Sequence, residues 1–278
     1  MIIWLASYPK SGNTMLRSML SAYLFSNDGI FNFELLHNIK QFPNDGFLQK
    51  LGIKSGDINS IIKNSIKAQE LFNNKNSVGF VKTHNMLFNF EKKYPFTNFD
   101  HSLGVVYIVR DPRNVVTSYA HHYSITVDEA FYQISDKELF LKKTNLHPDV
   151  FISSWSLNYL SWKKANIPLL LIKYEDLIKN TKEKLIEVFN FFQTFGMSKS
   201  LYDEKKLDNV IKSTQFKNMQ KLEKEIGFDE SVMDKKTNKK IPFFNLGPSN
   251  DWRNKLDTNL ANKIERAFSK EMEELGYL

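Results

Sequence analysis

Four short apolar runs punctuate the chain: Ile2–Ala6, Val78–Lys82, Val105–Val109 and Leu169–Ile172. None alternates apolar with polar residues, the pattern expected of strands covered on both faces in a parallel sheet. The run at Val78 is the weakest, since only Val78, Phe80 and Val81 are apolar. Helical spacing follows most of them. Leu16, Leu20, Tyr23 and Leu24 share one face, as do Val115, Val116, Tyr119 and Tyr123. Leu185, Val188, Phe189 and Phe192 repeat the pattern, and Leu260, Ile264, Phe268, Met272 and Leu275 close the chain with it. Asp111-Pro112 supplies a helix start, with Asp at N-cap and Pro at the first helical position. Strand-then-helix alternation predicts an α/β three-layer sandwich around a central, mostly parallel sheet. No repeat and no Pro/Gly/Ser linker divides the 278 residues, so one domain spanning 1–278 is expected.

In such sheets ligands bind beyond the carboxyl ends of the strands. After the first run comes Ser7-Tyr8-Pro9-Lys10-Ser11-Gly12-Asn13-Thr14, then a helix. This is a P-loop-like strand–loop–helix: Gly12 permits close backbone approach, and the helix N-terminus offers free N–H groups to an anion. Lys10 places an ammonium in that loop. The segment is not a Walker A loop, where the lysine directly follows the second glycine; here Lys10 precedes Gly12. A nucleoside-triphosphate kinase is thereby demoted. After the second run comes Lys82-Thr83-His84, and after the third Arg110-Asp111-Pro112-Arg113-Asn114, with Ser118 two turns into a helix. The planar fork of Arg110 suits a phosphate, the alternative being an ion pair with Asp111. Tyr174-Glu175-Asp176 follows the fourth.

These segments, in this order, resemble the PAPS-dependent sulfotransferases, whose donor is 3′-phosphoadenosine-5′-phosphosulfate. Tyr8 to Thr14 resembles the family's 5′-phosphosulfate loop. Val106 to Tyr119, with Ser118 eight positions after Arg110, looks like its 3′-phosphate motif. Lys82-Thr83-His84 is similar to the segment carrying the catalytic base, and Tyr174-Glu175-Asp176-Leu177 to a segment after a central strand. Thr214, Phe216 and Met219 resemble the adenine-holding segment, and Gly247 to Arg253, with Trp252, the C-terminal motif.

The resemblance implies a sulfotransferase that moves a sulfuryl group from PAPS to an acceptor hydroxyl or amine and releases PAP, with no metal. His84 would be the general base, Lys10 would neutralise the bridging oxygen, and Lys82 would steady the sulfonate. The N–H groups of Ser11, Gly12, Asn13 and Thr14 and the Thr14 hydroxyl would hold the 5′-phosphate. Arg110 and Ser118 would hold the 3′-phosphate, with Met15, Tyr174, Thr214, Phe216, Met219, Gly247, Trp252 and Arg253 completing the nucleotide site. A nucleotide-binding module without catalysis is the non-enzymatic alternative, against which Lys10 and His84 together argue.

Departures from the family pattern are specific. Met15 stands where a stacking Trp is usual, and Asn245-Leu246 replaces the Arg-Lys pair expected on the 3′-phosphate. The family's dimerisation segment is not matched, which leaves the oligomeric state open. Lys235, Lys236, Lys239 and Lys240 lie in the irregular stretch from Gly227 to Asn250, which reads either as a solvated patch or as a lid over the donor. As a lid it would bring Lys239, Lys240 or Arg253 to the 3′-phosphate.

Composition bounds the remainder. A net charge of +7 favours anionic ligands, but no nucleic-acid-binding signature accompanies it. The absence of cysteine removes disulfides, thiolate metal sites and cysteine nucleophiles. No secretory signal or bilayer-length apolar run is present, so a cytoplasmic protein without membrane insertion is expected. The acceptor is a small molecule or glycan of unspecified identity; Phe88, Phe90, Phe131 and Phe151 are candidate lining for it. His121 and His122 are adjacent on a helix, about 100° apart, and read as exposed helix-end residues.

Overall fold

A computed structural model describes residues 1–71, 78–144, 147–197, 203–234 and 237–278. Lys235 and Lys236 lie outside the described residues. The central sheet has five strands in the order Lys40–Gln41, Gly79–Thr83, Ile2–Ser7, Ser102–Val109, Leu169–Lys173. All four pairings are parallel. The four apolar runs are its four longer strands, each shifted by no more than a few residues. The fifth, Lys40–Gln41, is a two-residue edge strand with no apolar run to announce it.

Period-two alternation sorts the strand side chains into two cores. Ile2, Trp4 and Ala6 of the first strand join Val105, Tyr107 and Val109 on one face. Ile3 and Leu5 join Val106 and Ile108 on the other. Each face is covered by helices whose apolar stripes match it. The first face receives helices Pro112–Tyr123, Trp155–Lys163 and Thr258–Glu274. The second receives Asn13–Phe25, Thr181–Gln193 and Glu204–Ser213. The result is the three-layer sandwich that the pattern predicts. Full burial of a Leu, Ile, Val or Phe contributes about 1.5–3 kcal/mol, so these two seams dominate the cohesion of the fold.

The strand order positions the site. From Ile2–Ser7 in the middle, the chain builds outward on one side through Gly79–Thr83 and Lys40–Gln41. It builds on the other side through Ser102–Val109 and Leu169–Lys173. The switch point therefore flanks the first strand, and the crevice beyond its carboxyl end collects the loops that begin at Tyr8, His84 and Arg110.

Candidate active site

The loop after Ile2–Ser7 turns twice through left-handed backbone, with φ 66° at Lys10 and 101° at Gly12. Gly12 is required there, because a Cβ would come within 2.4 Å of the Tyr174 ring. Helix Asn13–Phe25 then starts without a side-chain cap and without an acidic residue in its first turn. Its first N–H groups have no partner within the helix, so the N-terminus faces the crevice as a donor surface. Asn13 braces the turn by donating to the Leu5 carbonyl at 2.9 Å and to Ser7 Oγ at 3.2 Å.

Strand register sets His84. Ala6 pairs with Thr83, so the next residue, His84, comes beside Ser7 at the sheet edge. Its Nδ1 lies 2.8 Å from the Ser7 carbonyl oxygen. A carbonyl only accepts, so Nδ1 carries the hydrogen and Nε2 keeps its lone pair. Burial, reinforced by the nearby Lys82 ammonium, lowers the His84 pKa to about 3. The imidazole is a neutral acceptor across the physiological range.

Two lysines accompany it, Lys10 half-buried and Lys82 buried. Burial lowers Lys10 to about pKa 7, and its ammonium rests 4.0 Å from the centroid of the Phe243 ring. Burial also lowers Lys82, against the attraction of Glu230. Glu230 enters from the segment after helix Phe216–Ile226 and accepts from Lys82 Nζ at 3.2 Å, Arg17 at 2.6 Å and Thr14 Oγ1 at 3.1 Å. Its burial favours the protonated form, but Lys82 and Arg17 more than offset this and hold the carboxyl well below the usual carboxylate range.

Arg110 does not pair with Asp111, which is engaged by Arg113 at 2.7 Å. The Arg110 guanidinium lies over the Tyr174 ring at 4.3 Å and donates to the Lys10 carbonyl at 3.1 Å and the Gly247 carbonyl at 3.4 Å. Its buried Nε has no partner among the described residues, and neither does the buried Ser11 Oγ.

One cavity of about 410 Å³ joins these groups. Lys10, Gly12, Asn13, Thr14, Met15, Lys82, His84, Arg110, Ser118, Tyr174, Thr214, Phe216, Met219 and Gly247 all line it. Gly247, at φ 53°, packs so tightly on Phe216 that a Cβ would fall 2.2 Å from the ring. Three expected residues are not in the lining. Ser11 is buried beneath the loop, and its N–H donates to the Tyr8 carbonyl at 3.3 Å. Trp252 lies between the guanidinium groups of Arg113 and Arg253, at 4.2 and 4.8 Å. Arg253 is exposed and pairs with Asp251 at 3.3 Å.

Other expectations are corrected by the geometry. Lys239 and Lys240 are exposed and do not line the cavity, whereas Lys255 does. His121 and His122 are both part of its wall, and His122 stands edge-on to Phe243 at 5.7 Å. Phe88, Phe90, Phe131 and Phe151 are absent from that wall, their place being taken by Phe216, Phe243 and Phe244. Phe88, Phe90 and Phe151 instead stack on one another within the core. Arg17 and Glu230 went unseen in the sequence. Arg17 sits one turn after Thr14 and shares its helix face, a signal that spacing alone offers; Glu230 offers none. No group of three or more His, Asp or Glu side chains able to hold a metal occurs among the described residues, and no described helix is long and apolar enough to cross a membrane.

The chain is similar to known sulfotransferases in sequence and in fold. Mouse sulfotransferase 1B1 is 26% identical over 274 residues, covering 97% of this chain and 82% of the relative. Luciferin sulfotransferase of Photinus pyralis is 24% identical, covering 96% of this chain and 70% of that protein. Among solved structures, mouse sulfotransferase SULT7A1 complexed with PAP superposes with a TM-score of 0.60 at 20% identity, over 98% of this chain and 84% of the other. Retinol dehydratase in complex with androsterone and inactive cofactor PAP gives 0.62 at 18%, over 98% and 80%. The sulfotransferase-domain family model matches residues 2–276, essentially end to end, and the chain belongs to that family.

Proposed function

We propose that this sulfotransferase uses PAPS as its donor and transfers the sulfuryl group in line to a hydroxyl or amine of a small acceptor. The observation that carries the reading is a convergence: one cavity holds a helix-N-terminal anion cradle, the ammonium groups of Lys10 and Lys82, and a neutral histidine whose Nε2 keeps its lone pair. Sulfuryl transfer needs those parts, because charge gathers on the leaving oxygen while the acceptor loses a proton.

The cradle fits the donor's anionic groups on this chain's own chemistry. Gly12 keeps the loop open to close approach, the first-turn N–H groups point outward, and Arg110 Nε is buried without a partner. The 5′-phosphate is assigned to the N–H groups of Gly12 to Thr14 and the Thr14 hydroxyl. The 3′-phosphate is assigned to Arg110 and Ser118, with Lys255 at the cavity wall in place of the missing Arg-Lys pair. The adenine is assigned to the surface made by Met15, Thr214, Phe216 and Met219.

In the step itself the acceptor oxygen or nitrogen bonds to sulfur as the bond from sulfur to the 5′-phosphate oxygen breaks. The acceptor proton passes to His84 Nε2. Lys10 faces the departing oxygen and balances the charge that PAP carries away. Lys82 steadies the sulfonate oxygens. The test is PAP release from PAPS across acceptor classes, with PAP and Mg-ATP compared as stabilising ligands in thermal melts. Stabilisation by PAP and little by Mg-ATP is expected; equal shifts would overturn the donor assignment.

A further inference from the structure

The cradle assigned to the donor already holds an anion. The four contacts of Glu230 use both its oxygens: Oε1 accepts from Arg17 and Lys82, and Oε2 from Thr14 and Lys82. Thr14 and Lys82 are the same groups that the donor reading assigns to the 5′-phosphate and the sulfonate. The Thr14 hydroxyl has one hydrogen to give, so it cannot donate to the carboxylate and to a phosphate at once. The carboxylate is ionised under ordinary conditions, and of its two nearest cations, Arg17 and Lys82, the second is the one assigned to the sulfonate.

We propose that Glu230 is an internal anion that competes with the donor for the cradle and is displaced by nucleotides carrying an anionic group at the 5′ position. The inference rests on the donor reading and sharpens it: Glu230 becomes a specificity-determining residue. A nucleotide lacking that 5′ group leaves Lys82 and Arg17 with no replacement partner, so it gains nothing by expelling the carboxylate. Gly227, at φ 79°, ends helix Phe216–Ile226, and the next residue, Phe228, is buried against Phe33, Phe243 and Phe244. Phe228 anchors the base of the segment while Glu230 lies two residues beyond it, on the way into the short hairpin Val232–Met233 with Lys240–Ile241. The opposing role is a fixed brace, in which Glu230 stays on Lys82 and Arg17 and orients them for the bound donor. The two roles predict opposite signs.

Calorimetric titration of the full chain and its Glu230→Gln variant with PAP, pyrophosphate and adenosine 3′-phosphate separates them. Displacement predicts that the variant binds PAP and pyrophosphate at least about tenfold more tightly, with adenosine 3′-phosphate unchanged. The unliganded variant should melt at lower temperature, since Arg17 and Lys82 lose their partner. Unchanged or weaker binding of PAP and pyrophosphate would overturn the proposal and leave the donor assignment standing. Tighter pyrophosphate with no PAP binding in either form would do the reverse. Should the variant fail to fold, the cysteine-free chain allows a second reading with Glu230 intact. Met233→Cys, at a position 49% exposed, accepts a single fluorophore beside the segment. PAP or pyrophosphate should shift its emission and adenosine 3′-phosphate should not; no shift at saturating PAP and pyrophosphate sinks the displacement.

Discussion

His84 Nδ1 and the Ser7 carbonyl oxygen lie 2.8 Å apart, and this contact leaves Nε2 as the ring nitrogen with a lone pair to offer. With its pKa near 3, His84 leaves no titration at the ordinary imidazole value of about 6.5 in kcat/KM, the quantity that reports the free enzyme. His84→Ala should cut turnover by about 10²–10⁴-fold, the usual contribution of a general base, and leave PAP affinity intact. A His84→Ala enzyme with the wild-type rate would remove His84 from the chemistry.

Lys10 gives a pH dependence to binding rather than to proton abstraction. Its ammonium, at about pKa 7 in the unliganded protein, is charged below that value and lost above it. Bound phosphates favour the charged form, so PAP binding takes up a proton above pH 7, and affinity should fall as pH rises from 7 to 9. Over that range phosphate, with its second pKa of about 6, is already ionised. Lys10→Arg keeps its charge and should flatten the curve. An equally steep fall in that variant would place the titration elsewhere.

For the 3′-phosphate, Arg110→Ala should weaken PAP by about 1.5–3 kcal/mol, the range for hydrogen bonds to charged groups. Lys255→Ala should reduce the preference for PAP over adenosine 5′-phosphosulfate, whereas the Lys239→Ala, Lys240→Ala double variant should not. Binding isotherms for the two nucleotides check this. A preference that survives Lys255→Ala but not the double variant would move the reading cation to the hairpin.

Much of this was legible because local chemistry announced it. The four longer strands are apolar runs, and the segment after each of them contributes to the cavity wall. What escaped was tertiary. Glu230 meets Lys82 across 148 positions, and no spacing rule connects them. Trp252 and Arg253 carry the expected motif, yet the indole packs against the Arg113 guanidinium and does not line the cavity. His121 and His122 looked like solvated helix-end residues because the Pro242–Phe243 segment that meets them is remote in sequence; His121 Nε2 approaches the Pro242 carbonyl at 3.3 Å.

Arg113 also ties helix Pro112–Tyr123 to the last helix and to Tyr277 beyond it. It bonds Asp111, Glu265 and the Tyr277 carbonyl, all through nearly buried nitrogens. Arg113→Ala leaves the Asp111 carboxylate buried without its cation and should destabilise by about 3–5 kcal/mol. Urea unfolding measures it; a loss under 1 kcal/mol would mean that the network relaxes.

The left-handed backbone at Lys10 has a meaning beyond geometry. A residue with a Cβ in that conformation costs about 1–2 kcal/mol, which glycine would relieve. At Lys10 that cost accompanies an ammonium at the cavity wall. By the same logic, Lys10→Gly is the cleanest way to remove the cation, since any loss of activity would come with a fold as stable as before or more so.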